Sequence, residues 1–190
     1  MKLAHLAAAF MLALLAACGR QDSASHATDV TGALPALDFS LTRANDGREV
    51  RGADYRGKVA ILYFGYTHCP DICPTTLANL AEMLQKLGSR ADGVRVLFVT
   101  VDPDRDTLAT MKGYVASFAP QIDGLRGTPD ELTALTRRYR VAFSVTPGPP
   151  YQVMHSNAVF FFDPNGRARL VSTDVSKPDD VAADVKRLME

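Results

Sequence analysis

Two cysteines and one histidine are the residues of this chain best suited to bind a soft metal ion or to exchange electrons. Cys69 and Cys73 are separated by three residues and follow an apolar run at 59–64, and His155 comes much later in the chain. Two thiolates and an imidazole can hold copper as Cu(I) or as Cu(II). Two neighbouring thiols can also form a disulfide and reduce a partner. The three residues therefore predict a metal site, a redox site or both.

The surroundings of the cysteine pair predict where both sulfurs lie. The apolar run at 59–64 is typical of a buried strand, and apolar residues at helical spacing within 77–87 predict a helix behind it. Pro74 disfavours helical geometry at Cys73 and is favourable as a first helical residue, so the helix is predicted to begin just after Cys73. Both sulfurs would then lie in a loop at a helix N-terminus, where partial positive charge stabilises a thiolate.

In the predicted loop the two sulfurs could come close enough either to form a disulfide or to bind one metal ion together. A disulfide that only staples the fold is less favoured, because it would close a loop of three intervening residues and constrain the unfolded chain little. A lone histidine is usually an ordinary surface or core residue. His155 is a candidate ligand because it precedes a predicted strand that faces the cysteine turn.

The first residues predict export and a lipid anchor. Residues 1–17 contain one charged side chain, Lys2, and an apolar stretch that is shorter than the ~20 residues of a membrane-spanning helix. They are interpreted as a secretory signal peptide. The residues leading to Cys18 resemble a bacterial lipoprotein signal, in which lipid is attached to the cysteine, and the alternative is an ordinary signal peptide with an incidental cysteine. Lipidation is favoured because an unpaired exposed thiol is unfavourable in an oxidising compartment.

Composition and charge indicate the domain organisation. Residues 18–33 are mostly small and polar and are predicted to be a flexible tether, and residues 34–190 are predicted to be one folded domain. The chain has 21 basic and 21 acidic side chains, so nothing favours a nucleic acid or a polybasic contact with a membrane. We therefore expect an exported monomer held by lipid on a bacterial membrane, facing the periplasm or the cell exterior.

The order of elements predicts a thioredoxin-like α/β sandwich with an N-terminal β-hairpin. Strands alternate with helices, and a second hairpin and a closing helix complete the pattern. Right-handed crossovers bring the turn after the first buried strand and the start of the later hairpin to one end of the sheet, so His155 is expected to meet the cysteines. The predicted strands are 37–42, 48–51, 59–64, 94–100, 157–162 and 168–172, and the helices after the cysteine turn are 107–118, 130–140 and 177–189.

Several motifs resemble the Sco/SenC family of copper proteins. They are Gly-Tyr-Thr-His-Cys-Pro-Asp-Ile-Cys-Pro at 65–74, Val-Asp-Pro-Asp-Arg-Asp-Thr at 101–107, Gly-Thr-Pro at 127–129 and the segment 151–156. The similarity covers nearly the whole folded region. It implies a thioredoxin-like fold in which Cys69 and Cys73 are the two thiolate ligands and His155 the imidazole ligand of a copper ion, Cu(I) or Cu(II). It also implies delivery of copper to the binuclear copper site of cytochrome c oxidase, or preparation of the cysteines of that site.

The implied activity is ligand exchange with a partner, so the protein is not expected to be an enzyme. Its expected partners are the copper-site subunit of the oxidase and other copper chaperones. The alternative is a membrane-anchored thiol-disulfide oxidoreductase that maintains partner cysteines, with Cys69 attacking and Cys73 resolving. Cysteine spacing by three residues rather than two, and the absence of a proline immediately before 157–162, count against this as the sole role. A reductive step on a partner is compatible with copper binding.

Four neighbouring residues have alternative interpretations. The residue before the histidine is often acidic in the family, and here it is Met154, a soft potential ligand of a type that more often only packs. His68 adjoins Cys69 but is expected to point away from it. Asp71 either tunes the thiolates or caps the loop, and Asp102 either lines the ligand-binding edge of the sheet or caps a turn.

Overall fold

A computed structural model describes residues 25–190 of the chain. This part contains ten β-strands, four α-helices and two short 3₁₀ helices, Gly52–Tyr55 and Gly88–Gly93. The strands are β1 Thr28–Asp29, β2 Ser40–Arg43, β3 Glu49–Arg51, β4 Val59–Gly65, β5 Val94–Thr100, β6 Ile122–Arg126, β7 Phe143–Thr146, β8 Gln152–His155, β9 Val159–Phe162 and β10 Ala168–Ser172. The α-helices are α1 Ile72–Leu87, α2 Leu108–Ala116, α3 Pro129–Arg138 and α4 Pro178–Leu188.

The central sheet has eight strands in the order β1-β10-β9-β4-β5-β6-β2-β3. Strands β4, β5 and β6 are parallel neighbours, and β9 runs antiparallel on the other side of β4. The predicted N-terminal hairpin is formed by β2 and β3 and extends the sheet beyond β6. Strands β7 and β8 form a separate two-stranded hairpin. The carboxyl ends of β4 and β5 lead into the loops before α1 and α2, which is the edge where such sheets place functional residues.

Alternation along β4 explains the sandwich. Every residue of Val59–Gly65 is buried, and successive side chains of a strand point to opposite faces. Val59, Ile61 and Tyr63 belong to a core that includes residues of α1, α2 and α4, whereas the alternate residues of β4 belong to a second core with α3. Helices therefore cover both faces of the sheet, and β4 is the buried strand that its apolar run predicts.

Strand β6 and the hairpin of β7 and β8 are absent from the sequence prediction. Strand β6 contains Asp123 and Gly124, residue types that are depleted in strands. Asp123 is nevertheless buried, because the Tyr55 hydroxyl donates to it at 3.0 Å and the guanidinium of Arg43 lies 3.6 Å away. These partners are distant in sequence, so the local pattern alone does not reveal the strand.

The folded region begins earlier than the predicted boundary between a tether at 18–33 and a domain at 34–190. Strand β1 pairs antiparallel with β10. The backbone N–H groups of His26 and Ala27 donate to the carboxylate of Asp184 on α4 at 3.1 and 2.9 Å. Residues 25–33 are therefore part of the folded unit, because their backbone hydrogen-bonding groups find partners on β10 and α4.

The predicted signal peptide, Cys18 and the first part of the predicted tether lie outside the described residues. Within residues 25–190, no helix combines the length and the apolar character that crossing a lipid bilayer requires. The predicted lipid anchor at Cys18 stays a prediction.

Asp184 is expected to hold the N-terminal segment on the domain. The residue is 2% exposed, and its carboxylate also pairs with Arg187. Replacing Asp184 by alanine leaves two backbone N–H groups without their acceptor, and we expect the free energy of unfolding to fall by about 2 kcal/mol. Urea unfolding measures the change, and hydrogen exchange at His26 and Ala27 should accelerate.

Asp179 on the same helix provides the control. Its exposed carboxylate lies 3.0 Å from the ammonium of Lys86. Because an exposed ion pair contributes little, Asp179→Ala should change the stability only slightly. Equal destabilisation by the two substitutions would contradict the role given to Asp184.

Candidate metal centre

Three elements bring the predicted site residues together. Cys69 lies in the loop after β4, Cys73 in the first turn of α1, and His155 at the end of β8. Their two sulfurs and one imidazole nitrogen all lie within 4.8 Å of one another. The Cys73 Sγ is 3.3 Å from the Nε2 of His155. The expected meeting of this histidine with the cysteine turn is therefore what the structure shows.

The start of α1 differs from the prediction that the helix begins just after Cys73. The helix begins at Ile72, with Asp71 as its N-cap residue, so Cys73 is helical. Pro74 then occupies the third helical position, where its missing N–H has no helical partner to lose. Only Cys69 stays in the loop, and the backbone N–H of Cys73 donates to its Sγ at 3.4 Å. The N-terminus of α1 thus stabilises the Cys69 sulfur through a backbone N–H group and contains Cys73 itself.

The two thiols have opposite electrostatic environments. Burial alone would raise the pKa of Cys69, but backbone N–H groups of Cys73 and Asp71 donate to its sulfur and the net effect lowers that pKa. Burial raises the pKa of the Cys73 thiol to about 12. Cys69 is half-buried, Cys73 is fully buried, and their sulfurs are not joined in a disulfide. Cys69 is therefore the more reactive thiol.

Gly65 at the end of β4 makes room for the buried sulfur. A β-carbon at this position would lie 2.8 Å from the Cys73 Sγ and 2.7 Å from the ring of Phe98, both closer than van der Waals contact allows. Cys73 can therefore pack directly on the strand. Gly65 is the first residue of the motif at 65–74 that resembles the Sco/SenC family, but its steric role is evident only from the packing.

The ring of His155 is held in the orientation that a metal ligand needs. Its Nδ1 lies 2.9 Å from the backbone oxygen of Ser156, which assigns the proton to Nδ1 and leaves the Nε2 lone pair directed at Cys73. Burial lowers the pKa of His155, against a smaller opposite effect of the Ser156 contact. The imidazole is therefore kept in the neutral form that binds metal ions. The rings of Tyr63 and Tyr66 pack edge-on against the imidazole, with ring centroids 6.2 and 5.8 Å from its own.

The neighbouring candidates have different positions. Met154 is 69% exposed, and alternation along β8 directs it to the face opposite His155, so the structure does not place it among the ligand atoms. His68 is exposed, with its Nδ1 3.5 Å from the buried carboxylate of Asp106. The Asp71 carboxylate accepts from the Thr75 hydroxyl at 3.4 Å and makes no hydrogen bond to a backbone N–H of the first helical turn.

Asp102 belongs to a cluster that supports the site from outside. One of its carboxylate oxygens accepts from the Arg105 guanidinium and the other from the Tyr151 hydroxyl, at 2.5 and 2.8 Å. The Arg105 guanidinium lies over the Tyr151 ring at 3.9 Å and near the Tyr66 ring at 5.8 Å. Because Tyr151 immediately precedes β8 and Tyr66 contacts His155, this cluster joins the loop after β5 to both sides of the site.

Asp106 supports the cysteine loop in the same way. Its fully buried carboxylate accepts from the backbone N–H and the hydroxyl of Thr67, at 3.0 and 2.5 Å, and from the hydroxyl of Thr100 at 2.6 Å. Hydrogen bonds to a buried carboxylate are among the stronger ones in proteins. They fix the loop two residues before Cys69. Asp106 lies in the motif at 101–107 that resembles the Sco/SenC family, but the resemblance assigns it no role.

The donor set and its surroundings suit a thiophilic metal ion that is exchanged. Two sulfurs and one imidazole nitrogen are soft and intermediate donors, which suit thiophilic ions such as Cu(I) and Zn²⁺. A cavity of about 450 Å³ opens beside Cys69 and His155, and Ile72 and Met154 stand on its rim. These are the large hydrophobic side chains that the described part of the chain exposes. The site is therefore open to solvent beside Cys69 and His155.

The fold and this site define a thioredoxin-like protein with a cluster of two cysteines and one histidine. The SCO1/SenC family model matches residues 28–190, and the chain belongs to the SCO1/SenC family. Among relatives, the mitochondrial SCO2 homolog of Bos taurus is 42% identical over 134 residues, covering 68% of this chain and 50% of that protein. The SCO1 homolog of Homo sapiens is 36% identical over 135 residues, covering 67% of this chain and 44% of that protein. The chain thus spans about half the length of the curated relatives it matches.

Solved structures of the family confirm the predicted thioredoxin-like fold. The structure of Bradyrhizobium japonicum ScoI with copper bound has a TM-score of 0.74 and 39% identity, covering 80% of this chain and 98% of that one. Arabidopsis thaliana ScoI with copper bound gives a TM-score of 0.72 and 36% identity, with coverages of 80% and 98%. Apo Sco1 from Thermus thermophilus has a TM-score of 0.74 and 33% identity, covering 87% of this chain and 99% of that one.

The unequal thiols predict unequal alkylation. In the folded, reduced protein at mildly alkaline pH, iodoacetamide should modify Cys69 more than about tenfold faster than Cys73, since each unit of pKa changes the thiolate fraction about tenfold. Mass spectrometry of the modified peptides measures both rates. In denaturant the two rates should become similar, and similar rates in the folded protein would contradict the assigned environments.

Proposed function

We propose that this protein is a copper metallochaperone that binds copper through Cys69, Cys73 and His155 and delivers it to the binuclear copper site of cytochrome c oxidase. The observation that carries the proposal is the convergence of two sulfurs and one imidazole nitrogen within 4.8 Å at the edge of an open cavity. Two family structures that share more than a third of their residues with this chain hold copper. The oxidase as recipient is the role that the family resemblance implies.

The chemistry of the donors suits transfer between proteins. Thiolates favour Cu(I), and an added imidazole makes Cu(II) acceptable as well. Three protein ligands leave the metal ion open to an incoming ligand from a partner, so copper moves by ligand exchange and the protein is not an enzyme. Copper must displace a proton from each thiol, so acid weakens binding, and the raised pKa of Cys73 makes this competition strong.

A thiol-disulfide oxidoreductase is the second candidate function, favoured by the contrast between the two cysteines. Cys69 has the lowered pKa and is partly accessible, as an attacking thiolate requires, and Cys73 is buried behind it, as a resolving thiol often is. Attack on a partner disulfide would form a mixed disulfide with Cys69. Cys73 would then release the reduced partner and leave a Cys69–Cys73 disulfide, with two electrons and two protons transferred to the partner.

The proposed site of action is a membrane surface. The signal-like residues 1–17 and the following Cys18 support export and lipidation of the mature N-terminus. A lipid at Cys18 would hold the domain at a bacterial membrane, on the periplasmic or exterior side. Attachment by lipid keeps the copper site near its recipient without a membrane-spanning helix.

Copper binding by the mature protein tests the main proposal. We expect about one copper ion per chain, and Cys69→Ser and Cys73→Ser should each weaken Cu(I) binding by at least about a hundredfold, since each removes a thiolate ligand. His155→Ala should weaken Cu(II) binding more than Cu(I) binding, because imidazole suits Cu(II) better. Competition with a chelator of known affinity measures these changes. His68→Ala is the control and should retain copper, since His68 lies outside the cluster.

The outcome separates the two candidate functions. Unchanged copper binding in His155→Ala would remove this residue from the site. Failure of the reduced wild-type protein to retain copper, together with rapid turnover of model disulfides, would overturn the chaperone in favour of the oxidoreductase.

The proposed anchor makes its own prediction. Mass spectrometry of the protein purified from membranes should find a mature chain that begins at Cys18 and carries lipid. Cys18→Ser should release the domain from the membrane fraction. An unmodified N-terminus at another residue would refute lipidation and leave the copper site unaffected.

A further inference from the structure

The hairpin of β7 and β8 carries His155 but is not part of the central sheet. Within residues 25–190 the two strands form a sheet of their own. The residues of its inner face, which include His155, are only partly buried, and its outer face is exposed. A two-stranded hairpin by itself is marginally stable in water. Contacts with the rest of the domain must therefore hold His155 beside the cysteines.

The polar contacts that hold the hairpin are few. In the part of the chain that the structure describes, side-chain hydrogen bonds join residues 143–155 to other segments at two points. The Tyr151 hydroxyl donates to the Asp102 carboxylate at 2.8 Å, and the His155 Nε2 lies 3.3 Å from the Cys73 sulfur. The second point is the metal centre itself. The bond of Tyr151 to Asp102 is therefore the polar contact that can hold the hairpin independently of the ligand atoms.

Asp102 is the fixed end of this contact. The residue is buried and follows β5 closely, and its backbone N–H donates to the Thr100 hydroxyl at 3.0 Å. The backbone N–H of Val101 donates to the oxygen of Gly65 at 2.8 Å. Gly65 is the residue against which the Cys73 sulfur packs. Asp102 is therefore tied to the same strand end as the buried cysteine.

Arg105 completes the contact from the open side. Its guanidinium donates to one carboxylate oxygen of Asp102 at 2.5 Å, and the other oxygen accepts from Tyr151. The same guanidinium lies over the Tyr151 ring, 3.9 Å from its centroid. Hydrogen bonds to a charged group and a cation over an aromatic face are both favourable. Tyr151 is therefore held through its hydroxyl and through its ring.

We propose that Asp102, Arg105 and Tyr151 form a clasp that holds the hairpin of β7 and β8 closed and so sets the position of His155. With the clasp closed, the imidazole faces the two sulfurs and the site offers three donors. With the clasp open, the hairpin moves away as a unit and leaves the two sulfurs, which select Cu(I). The three residues are positioning residues, because they act through the hairpin. The proposal rests on the copper site proposed above.

Phenylalanine substitutions test the clasp in the mature protein. Tyr151→Phe keeps a ring beneath the Arg105 guanidinium and removes the hydrogen bond to Asp102. Tyr55→Phe is the matched control, because it removes a tyrosine hydroxyl that donates at 3.0 Å to another buried carboxylate, that of Asp123 on β6. A merely structural role of Tyr151 would give both variants the same pattern of effects.

The first measurement is hydrogen exchange in the reduced, metal-free protein. In Tyr151→Phe the amides of residues 143–155 should accelerate at least about tenfold more than those of β4, because the hairpin then opens without the sheet. Tyr55→Phe should show no such difference between hairpin and sheet. The second measurement is copper affinity by chelator competition. Tyr151→Phe should weaken Cu(II) binding by about tenfold and Cu(I) binding by less, since imidazole suits Cu(II) better. Tyr55→Phe should change neither affinity.

Each contrary result overturns a defined part of the proposal. Equal acceleration of hairpin and β4 amides in Tyr151→Phe would overturn the clasp. Faster hairpin exchange with unchanged Cu(II) binding would overturn its role in positioning His155. Wild-type protein that binds no copper would overturn the copper site and the role of the clasp there, whereas hydrogen exchange would still report whether the hairpin opens alone. If Tyr151→Phe fails to fold, wild type decides: hairpin amides that exchange as slowly as those of β4 would overturn the proposal.

Discussion

The packing of the first turn of α1 on β4 is the constraint on which the rest of the site depends. Gly65 has no side chain, so the Cys73 sulfur lies against the strand and 3.3 Å from the Nε2 of His155. The same turn directs the backbone N–H of Cys73 to the Cys69 sulfur at 3.4 Å. One helix start therefore places one sulfur directly and holds the second through its backbone. Any shift of α1 along β4 would separate the two sulfurs from the histidine together.

In this arrangement the thiolate forms of Cys69 and Cys73 are stabilised in different ways. A thiolate at Cys73 without a neighbouring cation would be an uncompensated buried charge, and burial accordingly raises its pKa. A bound metal cation supplies the compensating charge, so this sulfur becomes a good ligand only when the metal ion is present. Cys69 has hydrogen bonds that stabilise its thiolate in advance. The site can therefore be ready to receive a cation without holding two buried negative charges in its absence.

Local sequence signals predict the parts of the site that are locally determined. The apolar run of β4 and the helical spacing after it identify the strand-turn-helix unit and place the cysteines at a sheet edge. They misplace the helix start, because Pro74 is also tolerated at the third helical position, where its missing N–H has no helical partner to lose. They do not predict the hairpin of β7 and β8, because contacts distant in sequence, such as that of Tyr151 with Asp102, help to hold it. Topology predicts that His155 lies opposite the cysteine turn, whereas the orientation of its ring depends on contacts that only the structure shows.

The unequal exposure of the two cysteines also bears on how a bound metal ion would leave the centre. Cys73 is covered by β4 and by the His155 ring, whereas Cys69 borders the open cavity. In the proposed transfer of copper, an incoming ligand from a partner would approach through that cavity, beside Ile72 and Met154. Cys69 would then be the ligand more accessible to exchange, because Cys73 is fully buried. If the proposed transfer takes place, contact with the partner and release of the metal ion would occur at the same place, because Ile72 and Met154 line the cavity that Cys69 borders.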